Sequence, residues 1–194
     1  MLLYKDIAKE KDPVLREKAK EVSLPVSNED LETLRQMDEY LTNSYDEEFI
    51  KKYKIRPGVG LAAPQIGVSK RMFCIQAGDE KGEFHHYIVV NPKIISESEQ
   101  LTFLPNGEGC LSVDRETEGL VMRHKKIKAR CVLFNFDKAD FEETVLTLNG
   151  YIAIVFQHEY DHLDGILFVD RINKANPFFV PENAKELELK WNLS

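Results

Sequence analysis

The stretch YIAIVFQHEYDHLDG (residues 151–165) predicts a buried helix that carries the most chemically active side chains of the chain. It follows Asn149-Gly150, a turn-forming pair, and Gly165 is expected to end it. Its first turns, YIAIVF, are almost entirely apolar, a pattern typical of a helix with little solvent-exposed surface. We therefore expect this helix to lie at the centre of the fold.

The segments before this helix predict a sheet. Between residues 70 and 148, short runs rich in β-branched and aromatic residues alternate with Gly, Pro, Asn and Asp. No helical crossover separates these runs, so the strands are expected to be antiparallel. Upstream, residues 28–44 show helical spacing of apolar residues, and Asp12-Pro13 is expected to start a shorter helix. The segment 45–58 is charged and is expected to be exposed, whereas the tail after residue 173 fits either a strand or a short helix.

These elements predict one α+β domain over residues 1–194, with antiparallel sheets packed around the central helix. The net charge of −7 argues against a general nucleic-acid binder. The basic segment HKKIKAR (124–130) is best explained as the solvated face of a strand. Three cysteines do not make a disulfide framework, and neither a signal peptide nor an apolar run of about 20 residues is visible. We therefore expect a cytoplasmic protein with no membrane partner.

The motif HEYDH (158–162) indicates a metal site. His158 and His162 are four residues apart, so a helix places both on the same face. Glu159 is rotated by about 100° from His158, within reach of a water or carbonyl oxygen at the metal. The alternative is a set of polar residues satisfied by hydrogen bonds. Burial of two histidines and a glutamate without a ligand would be costly, which favours the metal site.

The third ligand of this site can be narrowed from the sequence. One metalloprotease class continues as HExxHxxGxxH, but Phe168 occupies the position of its last histidine. Cys110, in NGEGCLSV, lies between glycines and a strand-like segment, and a thiolate is a strong ligand for late first-row metals. A small buried core residue is the alternative for Cys110. Cys74 and Cys131 fit that alternative better, because each lies within an apolar strand pattern.

Three motifs together resemble the signature motifs of the peptide deformylases: GVGLAAPQIG (58–67), EGCLSV (108–113) and HEYDHLDG (158–165). They occur in the family's order, and DPVLR (12–16) is also similar to that family. The long segment before the first motif and the short tail resemble the second class of the family, typical of Gram-positive bacteria. The other class usually ends in a longer helix, which this sequence does not show. A ribosome contact through such a helix therefore stays open.

The resemblance implies a hydrolase that removes the N-formyl group from the initiator N-formylmethionine of newly made polypeptides and releases formate. It implies Cys110, His158 and His162 as the metal ligands, with water in the fourth position. Ferrous iron (Fe2+) is implied as the native metal, one per chain, for which Zn2+, Ni2+ or Co2+ can substitute. Metal-bound hydroxide would be the nucleophile, and Glu159 the general base and acid.

The resemblance also implies how the substrate is held. The side-chain amide of Gln65 and the backbone N–H of Leu111 would stabilise the oxyanion. The segment Gly58-Val59-Gly60 would pair with the peptide backbone like an added strand. Helical spacing from His158 suggests that Tyr151, Ile154 and Val155 of the central helix form, with Val59, an apolar slot for methionine. Packing in the hydrophobic core would account for these three helical residues equally well.

Other functions remain to be weighed against this one. A zinc endopeptidase or aminopeptidase could use the same helix, but its third ligand is missing. A structural metal site would need a fourth protein ligand, for which His85, His86 and His124 are candidates without convincing spacing. Loss of activity has no support, because Glu159 and Gln65 are both present. The expected partners are N-formylmethionyl nascent peptides and the ribosome.

Overall fold

The structure is a computed structural model that describes residues 1–189. The final residues of the tail, 190–194, lie outside the described part, and with them the end of the segment for which the sequence left strand and helix open. The described elements are the helices α1 (Asn28–Asn43), α2 (Glu47–Tyr53), α3 (Gly150–Leu163) and α4 (Phe168–Arg171), 3-10 turns at Tyr4–Asp6, Pro13–Arg16 and Ala63–Ile66, and the strands β1 (Gly60–Ala62), β2 (Met72–Gly78), β3 (Phe84–Glu97), β4 (Leu101–Phe103), β5 (Arg123–His124), β6 (Lys126–Asn135), β7 (Asp140–Asn149) and β8 (Ala184–Glu186).

The strands form two sheets. The larger has five strands in the order β1-β2-β3-β6-β7, and every neighbouring pair in it is antiparallel. The smaller has the order β5-β4-β8, in which β4 pairs with β8 in parallel. The predicted α+β class is confirmed. The parallel pair was not expected, and it is possible because the chain between β4 and β8 runs through the central helix before it returns.

Helices cover both faces of the large sheet. Successive residues of β2 point to opposite faces, so Met72 and Cys74 pack in one buried cluster with Leu34 and Met37 of α1. Phe73 lies in a second cluster with residues of α3. There its ring meets that of Phe156 edge to face, with the ring centroids 5.0 Å apart. The central helix is therefore packed against the sheet, as the sequence predicted.

Glycines fix both ends of α3. Gly150 has a φ of +59° and Gly165 a φ of +73°, values that residues with a side chain rarely adopt. A Cβ at Gly165 would lie 2.8 Å from the backbone of Arg16, so the end of the helix and the N-terminal segment approach closely. The predicted stop at Gly165 is confirmed, since α3 ends at Leu163. Within residues 1–189, no helix is both long and apolar enough to cross a membrane.

The N-terminal third shows one correct and one wrong prediction. Helix α1 spans the predicted residues, and the Ser27 side chain caps it by accepting the N–H of Asp30. The helix expected after Asp12-Pro13 is only one 3-10 turn, and Glu17 is already extended. The following backbone pairs elsewhere, because the N–H of Ala19 donates to the carbonyl of Leu163 at 2.8 Å. The charged segment after α1 contains α2, which the sequence reading did not predict.

Candidate active site

Three side chains meet where α3 passes the loop between β4 and β5. Cys110 belongs to that loop, and His158 and His162 lie on one face of α3. One ligand atom from each residue lies within 4.8 Å of the others, and Sγ of Cys110 is 3.4 Å from Nε2 of His162. A thiolate and two imidazoles suit a late first-row metal. The protein therefore has a candidate metal site at the place that the sequence predicted.

The imidazole of His158 is oriented from behind by a buried carboxylate. Nδ1 of His158 lies 2.8 Å from Oε2 of Glu108, which leaves Nε2 directed at the cluster. Glu108 also accepts two hydrogen bonds of 2.9 Å from Arg123, which is 2% exposed. Burial works to raise the pKa of Glu108, but the charge and hydrogen bonds of Arg123, together with His158, lower that pKa to about 2. The carboxylate therefore stays charged and accepts the N–H of His158.

The thiol of Cys110 is held as a good metal ligand. Burial disfavours the thiolate, but the charge of His162 and hydrogen bonds from both histidines outweigh it and lower the pKa of Cys110 well below its usual value. The sulfur also accepts from the backbone N–H of Ser112 at 3.4 Å. Since the thiolate is the form that binds metals, this environment favours ligation.

Glu159 is buried beside the cluster with one oxygen that has no partner. The residue is 4% exposed, and no residue of the described chain hydrogen-bonds its Oε2. Burial raises the pKa of Glu159 to about 7, although the charges of His158 and His162 oppose that shift. A buried carboxylate oxygen without a partner costs free energy unless a ligand completes its environment. Together with the donor set, this orphaned oxygen fits a site that takes a metal and a reacting molecule.

Gln65 points its amide nitrogen at the same cluster. It lies in the 3-10 turn Ala63–Ile66, and its Oε1 accepts the N–H of Ala62 at 2.8 Å. This bond fixes the amide so that Nε2 lies 3.4 Å from Sγ of Cys110 and 3.2 Å from the hydroxyl of Ser112. Glutamines in loops are usually exposed, but Gln65 is only 1% exposed. Leu111, the other sequence-predicted donor, is buried next to Cys110.

A cavity of about 290 Å³ opens onto these groups. Its size suits a small side chain and part of a peptide. All the residues that the sequence assigned to substrate binding line it: Gly58, Val59, Gly60, Tyr151, Ile154 and Val155. The sequence reading missed further lining residues, among them Tyr45, Arg56 and Leu104. Strand β1 borders the cavity and lies at the edge of the large sheet, so no strand within residues 1–189 pairs with its outer side.

The other histidines lie away from the cluster. His85 contacts Asp79 at 3.3 Å, the ring of His86 lies 2.6 Å from a carboxylate oxygen of Asp38, and His124 is held by the carbonyl of Ser98. None of the three joins Cys110 and the histidines of α3 in the described part of the chain. The four-ligand structural site that the sequence left open therefore has no fourth ligand in residues 1–189.

Sequence reasoning gave no role to the charges behind His158. Arg123 joins Glu108 to Asp161, whose Oδ2 lies 2.5 Å from Nη1 of Arg123. The three side chains are buried, with 5% exposure or less. The available signal was a charged residue within an apolar run, Arg123 in GLVMRH, since an arginine rarely enters a core without carboxylate partners.

Comparison with known proteins points to one family. The model of the polypeptide deformylase family matches residues 4–178. Peptide deformylase 2 of Bacillus cereus is 52% identical over 188 residues, which cover 97% of this chain and 100% of that one. The crystal structure of the peptide deformylase of Thermotoga maritima superposes with a TM-score of 0.65 at 34% identity, covering 89% of this chain and 99% of that one. The Met-Ala-Ser-bound class I type b peptide deformylase of Acinetobacter baumannii gives 0.66 at 30% identity, covering 86% and 96%.

Proposed function

Because the chain belongs to the polypeptide deformylase family, we propose that it hydrolyses the formyl amide of N-formylmethionyl polypeptides to formate and a free amino terminus. The observation that carries this proposal is the buried group of Cys110, His158 and His162 beside the unpartnered oxygen of Glu159, at the end of an apolar cavity. The similarity over 97% of the chain to a Bacillus peptide deformylase supports it.

The ligands of the proposed metal are Sγ of Cys110 and one ring nitrogen each of His158 and His162. When bound, a divalent metal supplies a Lewis acid that polarises a carbonyl oxygen and acidifies water. The family resemblance favours Fe2+, one per chain, with Zn2+, Ni2+ or Co2+ as substitutes, since these three donors alone do not choose among such metals. Three protein ligands, rather than four, are typical of a catalytic site.

Glu159 is the proposed general base and acid. Its unpartnered Oε2 accepts a proton from the attacking water, and the same carboxyl later gives a proton to the nitrogen that leaves as the free amine. Burial supports this role, because it raises the pKa of Glu159 to about 7 and so brings both protonation states within reach near neutral pH.

Gln65 and Leu111 are the proposed donors to the oxyanion that forms when the formyl carbon becomes tetrahedral. The amide of Gln65 is held by Ala62, so its N–H group needs no reorientation during the reaction. The backbone N–H of Leu111 lies in the peptide group whose carbonyl, that of Cys110, accepts the N–H of Val113 at 3.2 Å. Both donors are buried, and a site with little water strengthens each hydrogen bond to a developing charge.

Substrate recognition is proposed to combine an apolar slot with backbone pairing. Val59, Tyr151, Ile154 and Val155 are among the apolar residues of the cavity wall, which fits an unbranched methionine side chain. The segment Gly58–Gly60, which leads into the edge strand β1, would receive the peptide backbone as an added strand. The Met-Ala-Ser peptide in the Acinetobacter relative supports an N-terminal methionine as the bound residue.

We place this reaction in the cytoplasm, where nascent chains leave the ribosome, and assign it to a single catalytic domain that spans residues 1–194. The decisive experiment is formate release from formyl-Met-Ala-Ser by protein purified without oxygen, with bound metal counted in the same samples. Glu159→Ala and acetyl-Met-Ala-Ser are the controls. We expect formate only from the wild type with the formyl peptide, and about one metal per chain.

Four outcomes would count against parts of this proposal. A full metal site without formate release would reject the substrate class, and cleavage of the unformylated peptide would favour a peptidase. Full turnover by Glu159→Ala would remove Glu159 from its role. Unaltered metal content in Cys110→Ser would remove Cys110 from the ligand set.

A further inference from the structure

The first residues of the chain contact the loop that carries Cys110. Residues 4–12, here called the N-terminal strap, begin with the 3-10 turn Tyr4–Asp6 and end in a second turn, in which the N–H of Asp12 donates to the carbonyl of Lys9 at 2.7 Å. We propose that Lys9, within this strap, is a positioning residue that keeps the oxyanion donors Gln65 and Leu111 at a fixed position relative to each other. This inference rests on the proposed function, because it concerns how those two donors are kept in place.

Three consecutive strap residues each hydrogen-bond a different residue of the donor region. The N–H of Ala8 donates to the carbonyl of Gln65 at 2.7 Å. The ammonium of Lys9 donates to the carbonyl of Leu111 at 3.2 Å. The N–H of Glu10 donates to the carbonyl of Ser112 at 2.9 Å. Gln65 and Leu111 come from separate segments of the chain, and this short strap binds both.

The ammonium of Lys9 is itself fixed on several sides. It lies 3.6 Å from the ring centroid of Tyr4, which attracts a cation. It also pairs with Asp114 at 3.3 Å, and the hydroxyl of Tyr4 donates to the same carboxylate. The backbone N–H of Lys9 donates to Asp12 at 2.6 Å. These contacts hold the Lys9 ammonium beside the loop, although its side chain is 37% exposed.

The bond to Leu111 restricts the direction of that residue's own N–H. On one side of Leu111, the carbonyl of Cys110, which shares a peptide group with the N–H of Leu111, accepts the N–H of Val113 at 3.2 Å. On the other side, Lys9 and Glu10 fix the carbonyls of Leu111 and Ser112. With both flanking peptide groups held, the backbone of Leu111 has little freedom to turn. Oxyanion donors act through such preorganisation, so loss of the Lys9 bond should lower turnover more than it weakens substrate binding.

The test compares Lys9→Met, Lys9→Arg and Arg115→Met. Lys9→Met keeps the length of the side chain and removes the donor, whereas Lys9→Arg keeps a donor and the charge. Arg115→Met is the matched control, because Arg115 joins the strap to the same loop through Glu10, at 2.9 and 3.0 Å, and touches neither donor. We measure kcat and KM on formyl-Met-Ala-Ser, bound metal, thermal unfolding, and hydrogen exchange of the amides of residues 110–112.

In Lys9→Met we expect kcat to fall about tenfold, a fraction of the 10²–10³-fold loss typical when a whole oxyanion donor is removed, with KM changed less than twofold. Amide exchange at residues 110–112 should rise while metal content stays at the wild-type level. Lys9→Arg should recover most of kcat, and Arg115→Met should match the wild type in kcat and exchange.

The inference fails if wild type and Lys9→Met have equal kcat, or if Lys9→Met and Arg115→Met lose activity alike in parallel with their unfolding temperatures. An increase in KM alone would also overturn it. A wild-type protein that releases no formate would overturn the proposed function itself, which is a different result from an active wild type that tolerates Lys9→Met.

Discussion

Gly60 lies so close to Glu159 that no side chain fits between them. A Cβ placed on Gly60 would be 2.3 Å from Oε1 of Glu159, 2.7 Å from its Cδ and 2.8 Å from its Cγ. The conformation of Gly60 is accessible to other residues, so the restriction is space and not backbone strain. Gly60→Ala therefore displaces the proposed general base without removing any of its atoms.

The size of the displacement follows from these distances. Ordinary contact with a Cβ begins at 3.4 Å, so Oε1 must withdraw by about 1.1 Å. A misplacement of roughly 1 Å can cost about 10²-fold in rate, which corresponds to about 2.7 kcal/mol of activation free energy. Because Glu159 is buried, the shift also strains its neighbours, and overpacking of this kind typically lowers the free energy of unfolding by about 1–3 kcal/mol.

The assay is formate release from formyl-Met-Ala-Ser by Gly60→Ala, with Gly78→Ala as the matched control. Gly78 ends β2, has no atom within 4 Å of an added Cβ and has no positive φ. We expect Gly60→Ala to lose about 10²-fold in kcat with metal still bound, and Gly78→Ala to equal the wild type. A rise in KM at unchanged kcat would mean that Gly60 acts only by pairing with the peptide. Wild-type kcat and KM in Gly60→Ala would refute the steric reasoning.

Three further substitutions test the surroundings of the proposed metal ligands. Gln65→Ala should lower kcat about 10²–10³-fold at nearly constant metal content, measured by formate release; a loss of metal instead would contradict a donor role. Glu108→Gln should weaken metal affinity about 10–100-fold in a competition titration with a chelator, because His158 loses its charged acceptor; equal affinity would refute that orienting role. Arg123→Met should lower the free energy of unfolding in urea by about 3–5 kcal/mol, since Glu108 then stays buried without its cation; a change below 1 kcal/mol would contradict it.

The fold was predictable where local patterns and tertiary packing favour the same structure. Helix α3 combines an apolar sequence with glycines at both ends, and α1 combines helical spacing with a serine cap. The helix expected after Asp12-Pro13 does not form, because backbone groups of this segment make hydrogen bonds to distant residues instead. The N–H of Ala19 donates to the carbonyl of Leu163, and Lys20 forms an isolated parallel β-bridge with Lys70. Local propensity is a weak preference, and hydrogen bonds to distant segments override it.

The residues of the candidate site likewise divide into those that local sequence spacing predicts and those that it does not. The side chains of His158 and His162 share a helical face, so their proximity follows from four residues of spacing and needs no knowledge of the fold. Cys110 lies 48 residues before His158, so no local spacing brings it to the site; its position among glycines made it a candidate, and the resemblance of its motif implied it as the ligand. The contact of Gly60 with Glu159 and that of Lys9 with Leu111 carry no local signal at all, because each joins segments about 100 residues apart.

The buried ion network behind His158 was not predicted from the sequence, and its position indicates what it contributes. Glu108, Arg123 and Asp161 bury three ionised groups, and a buried ion network of this kind is often no more stable than apolar side chains of similar volume. A contribution to stability therefore does not explain this network. Its position offers an explanation, because Glu108 sets the ring orientation of His158, and Arg123 links Glu108 to Asp161 on the same helix as both histidines. If the network serves ligand geometry, Arg123→Met should weaken metal binding as well as folding, and intact metal affinity in that variant would leave the network with a structural role alone.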